Sequence, residues 1–120
     1  MRLLFSSSGG VGHLRPLLPF AQAARDAGHD VLLMCPESFM PYAGQHRLRV
    51  VPFADADPQA LGEIFAGLSL DDVDGSNATV IREVFGRLDT TAATPAVQHT
   101  VEAWQPDLVF WGPEAKMLTD

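Results

Sequence analysis

The sequence predicts an open α/β sheet of parallel strands, and three observations predict it. Four short apolar runs recur along the 120 residues, each bounded by small residues, prolines or charges. The longer stretches between them carry apolar residues at helical spacing or loop composition. One of the runs, Val31-Leu32-Leu33-Met34, is continuous rather than alternating, as expected of a parallel strand covered on both faces.

The elements follow in order. Leu3-Leu4-Phe5 ends in serines and forms strand 1. From Leu14 to Ala27, the residues Leu17, Phe20, Ala21 and Ala24 recur on one helical face. Pro16 fits the first turn of that helix, where its missing N–H has no partner to lose. Gly28 stands just past the pattern, where a left-handed C-terminal residue belongs. Strand 2 is Val31–Met34, stopped by Pro36. Residues 37–45 form a short helix broken near Pro41 and Gly44. Arg49–Phe53 is strand 3, and Pro52 within it argues for an edge.

Pro58–Leu68 is a short helix, and the acidic "DDVDGSN" that follows reads as a solvated loop. Its carboxylates lack the spacing of a calcium loop. From Ala78 a helix resumes, capped by Ser76 or Asn77, with Val80, Ile81, Val84, Phe85 and Leu88 toward the core. Pro95 breaks or kinks it. Val97, Val101 and Trp104 continue the stripe into strand 4, Leu108–Trp111. Right-handed crossovers in a doubly wound layout give strand order 3-2-1-4. Strands 1 and 4 are then neighbours, and ligands bind at the switch point between their C-terminal ends.

Composition narrows the function. Hydrophobic residues make up 47% and charged residues 19%, the balance of a globular chain. Net charge is −7 and lysine occurs once, at Lys116. A nucleic-acid surface needs clustered basic residues, so that class is set aside. No apolar run reaches the roughly 20 residues of a membrane span, and the start lacks the features of a secretion signal. The single cysteine, Cys35, lies in an apolar run and reads as a small buried residue. A reducing, cytoplasmic setting fits.

The segment "SSSGGVGHLRP", residues 6–16, occupies the turn from strand 1 to helix 1. A dinucleotide loop needs a third glycine where Arg15 stands. A P-loop needs a lysine and a hydroxyl after the last glycine, and His13-Leu14 follows instead. A nucleophile elbow needs serine between the glycines, and here the serines come first. His13 remains. The field at a helix start disfavours a protonated ring, which leaves an imidazole able to accept a proton. The residues alone leave two roles open for it, general base or helix cap. Gly10 and Gly12 leave room for a substrate to approach the backbone, and Val11 between them is a candidate substrate contact with them.

"MRLLFSSSGGVGHLRPLLPFAQAARDAGHDVLLMCPESF" resembles the start of the bacterial antibiotic and macrolide glycosyltransferases, relatives of the UDP-glucuronosyl- and UDP-glucosyltransferases with the GT-B fold. Gly12-His13 with Pro16, Leu17-Leu18-Pro19 and Ala27-Gly28-His29 carry the resemblance, and "WQPDLVFW", residues 104–111, is similar to the family's fourth-strand signature.

The resemblance implies a Rossmann-like N-terminal domain that binds the acceptor. A second domain binds most of the nucleotide-sugar, and transfer to an acceptor hydroxyl proceeds with inversion. His13 matches the family's base. An acid after strand 4 usually orients that base; Gly112 stands at its place, and Glu114 two residues later is expected to substitute. No metal or cofactor is implied beyond a UDP- or TDP-sugar as co-substrate. The acceptor class is a polyketide-like or other natural product, with Trp111, Phe65 and Tyr42 as candidate contacts, the last two equally placed to serve as core.

Residues 1–120 are expected to be an incomplete acceptor domain without its nucleotide-sugar partner. Two alternatives remain: a non-catalytic acceptor-binding piece, or a stand-alone nucleotide-binding domain with Gly10 and Gly12 at a pyrophosphate. An exposed sheet edge after strand 4 invites homodimerisation.

Overall fold

A computed structural model describes residues 1–8 and 11–111, with Val11 and Trp111 as backbone only. Four parallel strands form one sheet: β1 (Arg2–Ser6), β2 (Asp30–Pro36), β3 (Arg49–Phe53) and β4 (Leu108–Trp111), in the order β3-β2-β1-β4. β1 is central. Its Leu4 pairs with Leu32 on one side and with Val109 on the other. Pro52 lies on β3 at the sheet edge, where a missing N–H is tolerated.

The sheet buries both faces, and strand alternation sorts the side chains. Leu3, Phe5, Val31, Leu33 and Cys35 share one face with Leu14, Leu18, Ala21 and Ala43. Leu4, Leu32 and Met34 point to the other, where Phe53, Ala93 and Val97 join them. The first face is covered by α1 (Val11–Leu14), α2 (Leu18–Asp26) and α3 (Met40–Gly44). The second is covered by α6 (Thr90–Trp104). β4 forms the other edge, with Leu108 and Phe110 exposed at 48% and 41%. Phe110 stacks on Phe5, ring centroids 4.6 Å apart.

The expected helix 1 differs at its start. The coil begins at Val11, three residues before Leu14, and tightens to a 3₁₀ turn over Arg15–Leu17 before α2. Pro16 lies in that turn; lacking an N–H, it cannot make the α-helical bond to the carbonyl four residues back. Gly28 has φ +92° and closes α2 as expected.

The acidic stretch is not a loop throughout. After α4 (Pro58–Ala66), α5 covers Val73–Thr79, capped by Asp72 rather than by Ser76 or Asn77. The Asp72 carboxylate accepts from the Gly75 N–H at 3.0 Å. A carboxylate there meets the unpaired N–H groups and positive end of a helix, and this outweighs loop-like composition. Ser76 turns back instead, its hydroxyl donating to the Ser69 carbonyl at 2.8 Å.

Pro95 does not break the helix. α6 runs through it to Trp104. Upstream, residues Val80–Asp89 wind as a π-helix, with hydrogen bonds reaching five residues back. The Thr90 hydroxyl also donates to the Phe85 carbonyl, at 2.8 Å. The wider winding shifts the core face, so Ile81, expected inside, is 51% exposed. Among the described residues no helix is long and apolar enough to cross a membrane.

At Gly28 an added Cβ meets nothing within 4 Å, so only the backbone conformation requires glycine there. Gly28→Ala is expected to cost about 1–2 kcal/mol, read as a lower urea midpoint with an unchanged m-value.

Candidate functional site

The site begins where β1 stops. Ser6, the last residue of β1, is aligned with Met34 on β2 and Trp111 on β4. The Ser7 N–H extends the ladder by donating to the Met34 carbonyl at 3.1 Å. Ser6 and Ser7 are 2% and 1% exposed, and small side chains let the strand end pack closely there. The Ser8 hydroxyl is buried without a hydrogen-bond partner among the described residues, an unspent polar group at the strand's C-terminal end.

His13 is the third residue of α1 and half-buried. Its neighbour Leu14, 1% exposed, plugs into the core and fixes the turn. The imidazole meets the ring of Phe85 edge to face, centroids 5.4 Å apart and planes at 67°. Phe85 belongs to the π-helical segment, so this contact joins the switch point to the second face of the sheet.

Beside it lies a cleft of about 640 Å³ above the C-terminal ends of β2 and β3. Phe39, Phe53, Leu61, Phe65, Val84 and Phe85 give it an apolar lining, with Ser38, Asp55 and Asp89 as polar points. Size and lining are those of a small-molecule site. Ser38 donates to the Asp55 carboxylate through its N–H at 3.0 Å and its hydroxyl at 2.5 Å. That clasp ties the turn after β2 to the loop after β3 and leaves Asp55 at the cleft wall.

The structure sorts the expected site residues. Phe65 lines the cleft, and His13 is not among its lining residues but touches one of them, Phe85. Phe65 is 53% exposed on α4. Tyr42 stands apart: it packs against the core on the α2 face and meets His46 edge-on at 5.1 Å. It lines a separate hollow with Arg15, Leu18 and Gln22. Val11 opens α1, and Gly12 beside it faces open space. Trp111 ends β4 next to Ser6. Gly10, Gly112 and Glu114 lie outside the described residues.

Residues not singled out in the sequence also matter. Phe85 and Val84 read as plain core stripe at 3.6-residue spacing, and only the π winding brings them to the cleft with Asp89. Asp55 and Ser38 carry no local signal, because their pairing spans the gap between two loops.

No family model matches the chain. The L-demethylnoviosyl transferase of Streptomyces niveus is 32% identical over 115 residues, covering 94% of this chain and 29% of that protein. The glycosyltransferase SsfS6 of Streptomyces sp. SF2575 has TM-score 0.79 at 27% identity, over 99% of this chain and 37% of that one. Its complex with thymidine diphosphate gives TM-score 0.74 at 25% identity, over 91% of this chain and 32% of that one. SnogD of Streptomyces nogalater gives 0.65 at 30% identity, over 95% and 28%. The chain thus spans under two fifths of each of these relatives.

Cys35, fully buried on β2, has its thiol pushed up to about 11 by burial and then by the Asp55 carboxylate. The unfolded chain gives up this proton first, so the stability Cys35 contributes at neutral pH is lost as pH rises from about 9 to about 11. Urea midpoints measured from pH 7 to pH 11 check this: stability is expected to fall over that window, and Cys35→Ala is expected to flatten the fall.

Proposed function

We propose that this chain, which is similar to Streptomyces glycosyltransferases, supplies the acceptor-binding part of an inverting enzyme of that kind, with His13 as general base. The observation that carries the reading is the placement of His13. It stands at the switch point, against a ring that also walls an apolar cleft. Topology directs ligands to such a place, and an imidazole beside an apolar cleft can take a proton from a hydroxyl held there.

In this reading the acceptor's rings lie among Phe39, Phe65 and Phe85, and the reacting hydroxyl points to His13. The imidazole accepts the hydroxyl proton as the oxygen attacks the anomeric carbon. The nucleoside diphosphate departs from the opposite side, which inverts that centre. The donor is a nucleotide-sugar held largely by residues beyond this chain. The thymidine diphosphate bound to SsfS6 supports a TDP-sugar. Glu114 is proposed to orient His13 in place of an acid at Gly112. The acceptor is a natural product, in keeping with the family of the relatives.

Positioned general bases contribute about 10²–10⁴-fold. In the enzyme that carries this chain, His13→Ala is expected to lower kcat by that factor while acceptor binding changes little. Initial rates with saturating donor and acceptor measure it, and undiminished turnover refutes the role.

A further inference from the structure

The π-helical segment Val80–Asp89 is the least ordinary backbone in the described chain, and it meets both His13 and the cleft. Long π-helical runs are rare, and short ones gather at functional sites. Four of its residues line the cleft: Val80, Val84, Phe85 and Asp89. At 3.6 residues per turn, the nine steps from Val80 to Asp89 make about two and a half turns and place those two on opposite sides. With hydrogen bonds five residues apart, Val80 stacks near Phe85 and Val84 near Asp89, and all four share a face. The winding is therefore what presents this set to the cleft.

Phe85 has a second contact. Its ring is edge to face with the His13 imidazole at 5.4 Å, a geometry that aromatic pairs favour and that fixes ring orientation as well as separation. Its backbone is held too, since the Phe85 carbonyl accepts from the Thr90 hydroxyl. Val84 beside it is 5% exposed and anchors the turn in the interior. A ring seated this firmly can impose its orientation on a half-buried imidazole.

We propose that Phe85 is a positioning residue for His13: the π-wound turn seats its ring so that it sets the imidazole plane while forming the cleft wall the acceptor meets. The proposal rests on the reading of His13 as base. It adds that selection of the acceptor and orientation of the base are exercised by one side chain. A bulky change at the cleft wall then alters the chemical step and not only acceptor affinity. A one-ångström misplacement of a catalytic group can cost about 100-fold in rate.

Two variants test it, Phe85→Leu and Phe85→Tyr, each with two readouts. In NMR spectra of this chain, Phe85→Leu is expected to remove the cross-peaks between the His13 and residue-85 side chains and to shift the His13 ring protons. Phe85→Tyr is expected to retain both features. In the whole enzyme, Phe85→Leu is expected to lower kcat by about 10–100-fold with KM within a few-fold, and Phe85→Tyr to restore kcat.

A rise in KM with kcat unchanged makes Phe85 a wall residue only and overturns the proposal. Unshifted His13 resonances in a folded Phe85→Leu chain overturn it as well. Full turnover by His13→Ala overturns the base reading itself, whereas loss in His13→Ala without loss in Phe85→Leu overturns only the positioning role. If Phe85→Leu fails to fold, Phe85→Met serves for both measurements, because it keeps apolar volume without an aromatic ring.

Discussion

Everything functional in this chain depends on β1 being hydrogen-bonded on both edges. Pairing with β2 on one side and β4 on the other makes it the strand across which the sheet's direction of growth reverses. The reversal carries connections away in opposite directions and leaves a crevice at the strand's C-terminal end. Leu4 and Phe5, 0% and 2% exposed, seal the two faces. The Arg2 N–H donates to the Asp107 carboxylate at 2.7 Å, and the Asp107 N–H returns to the Arg2 carbonyl at 2.8 Å. That reciprocal pair sets the register in which β4 enters, and so brings Trp111 level with Ser6. The turn carrying His13 then has one place to go, over the end of the sheet.

Much of this was legible in the residues. Val31–Met34 reads as a doubly covered strand because nothing polar interrupts it, and both its faces are buried. Pro52 marks an edge for a reason local to one peptide, and β3 is that edge. Gly28 requires a positive φ, and has one. Each of these features depends on the chain's covalent geometry or on period-two burial. Strand order followed from connectivity, without any particular side chain.

The rest was not legible, and the reasons are specific. An apolar stripe through Val80, Val84 and Phe85 is compatible with an α-helix, and no single residue announces a winding of five. The same stripe places Ile81 inside, where the structure leaves it exposed. Asp72 and its acidic neighbours have the composition of a solvated loop, yet the same carboxylate is a strong helix start; composition averages away what position decides. The cleft was invisible because it is built from separated pieces. Its polar clasp joins Ser38 to Asp55 across 17 positions, and Tyr42, three residues from Phe39 and packed on the same core cluster, lines a different hollow. A 3₁₀ turn passing into α3 between them rotates neighbours in sequence to different surroundings.

The two faces of the sheet have divided the work. Under α2 and α3 the packing is closed: Ala21, Leu33, Cys35 and Ala43 are each fully buried, and the small residues let the helices approach the strands. The opposite face is covered by α6 from Ala93 to Trp104. Upstream of Ala93 the coil widens, and the apolar surface of Phe53, Val84 and Phe85 lines a hollow together with residues of α4. A face packed throughout would have been more stable, since filling an apolar void of this size gains dispersion contacts along every wall. The cleft is thus left open at the expense of packing, at the one end of the sheet where β1 and β4 already direct a ligand. The tight face fixes His13 through Leu14, the loose face presents Phe85, and the aromatic contact between them is where the rigid and the open halves of the chain meet.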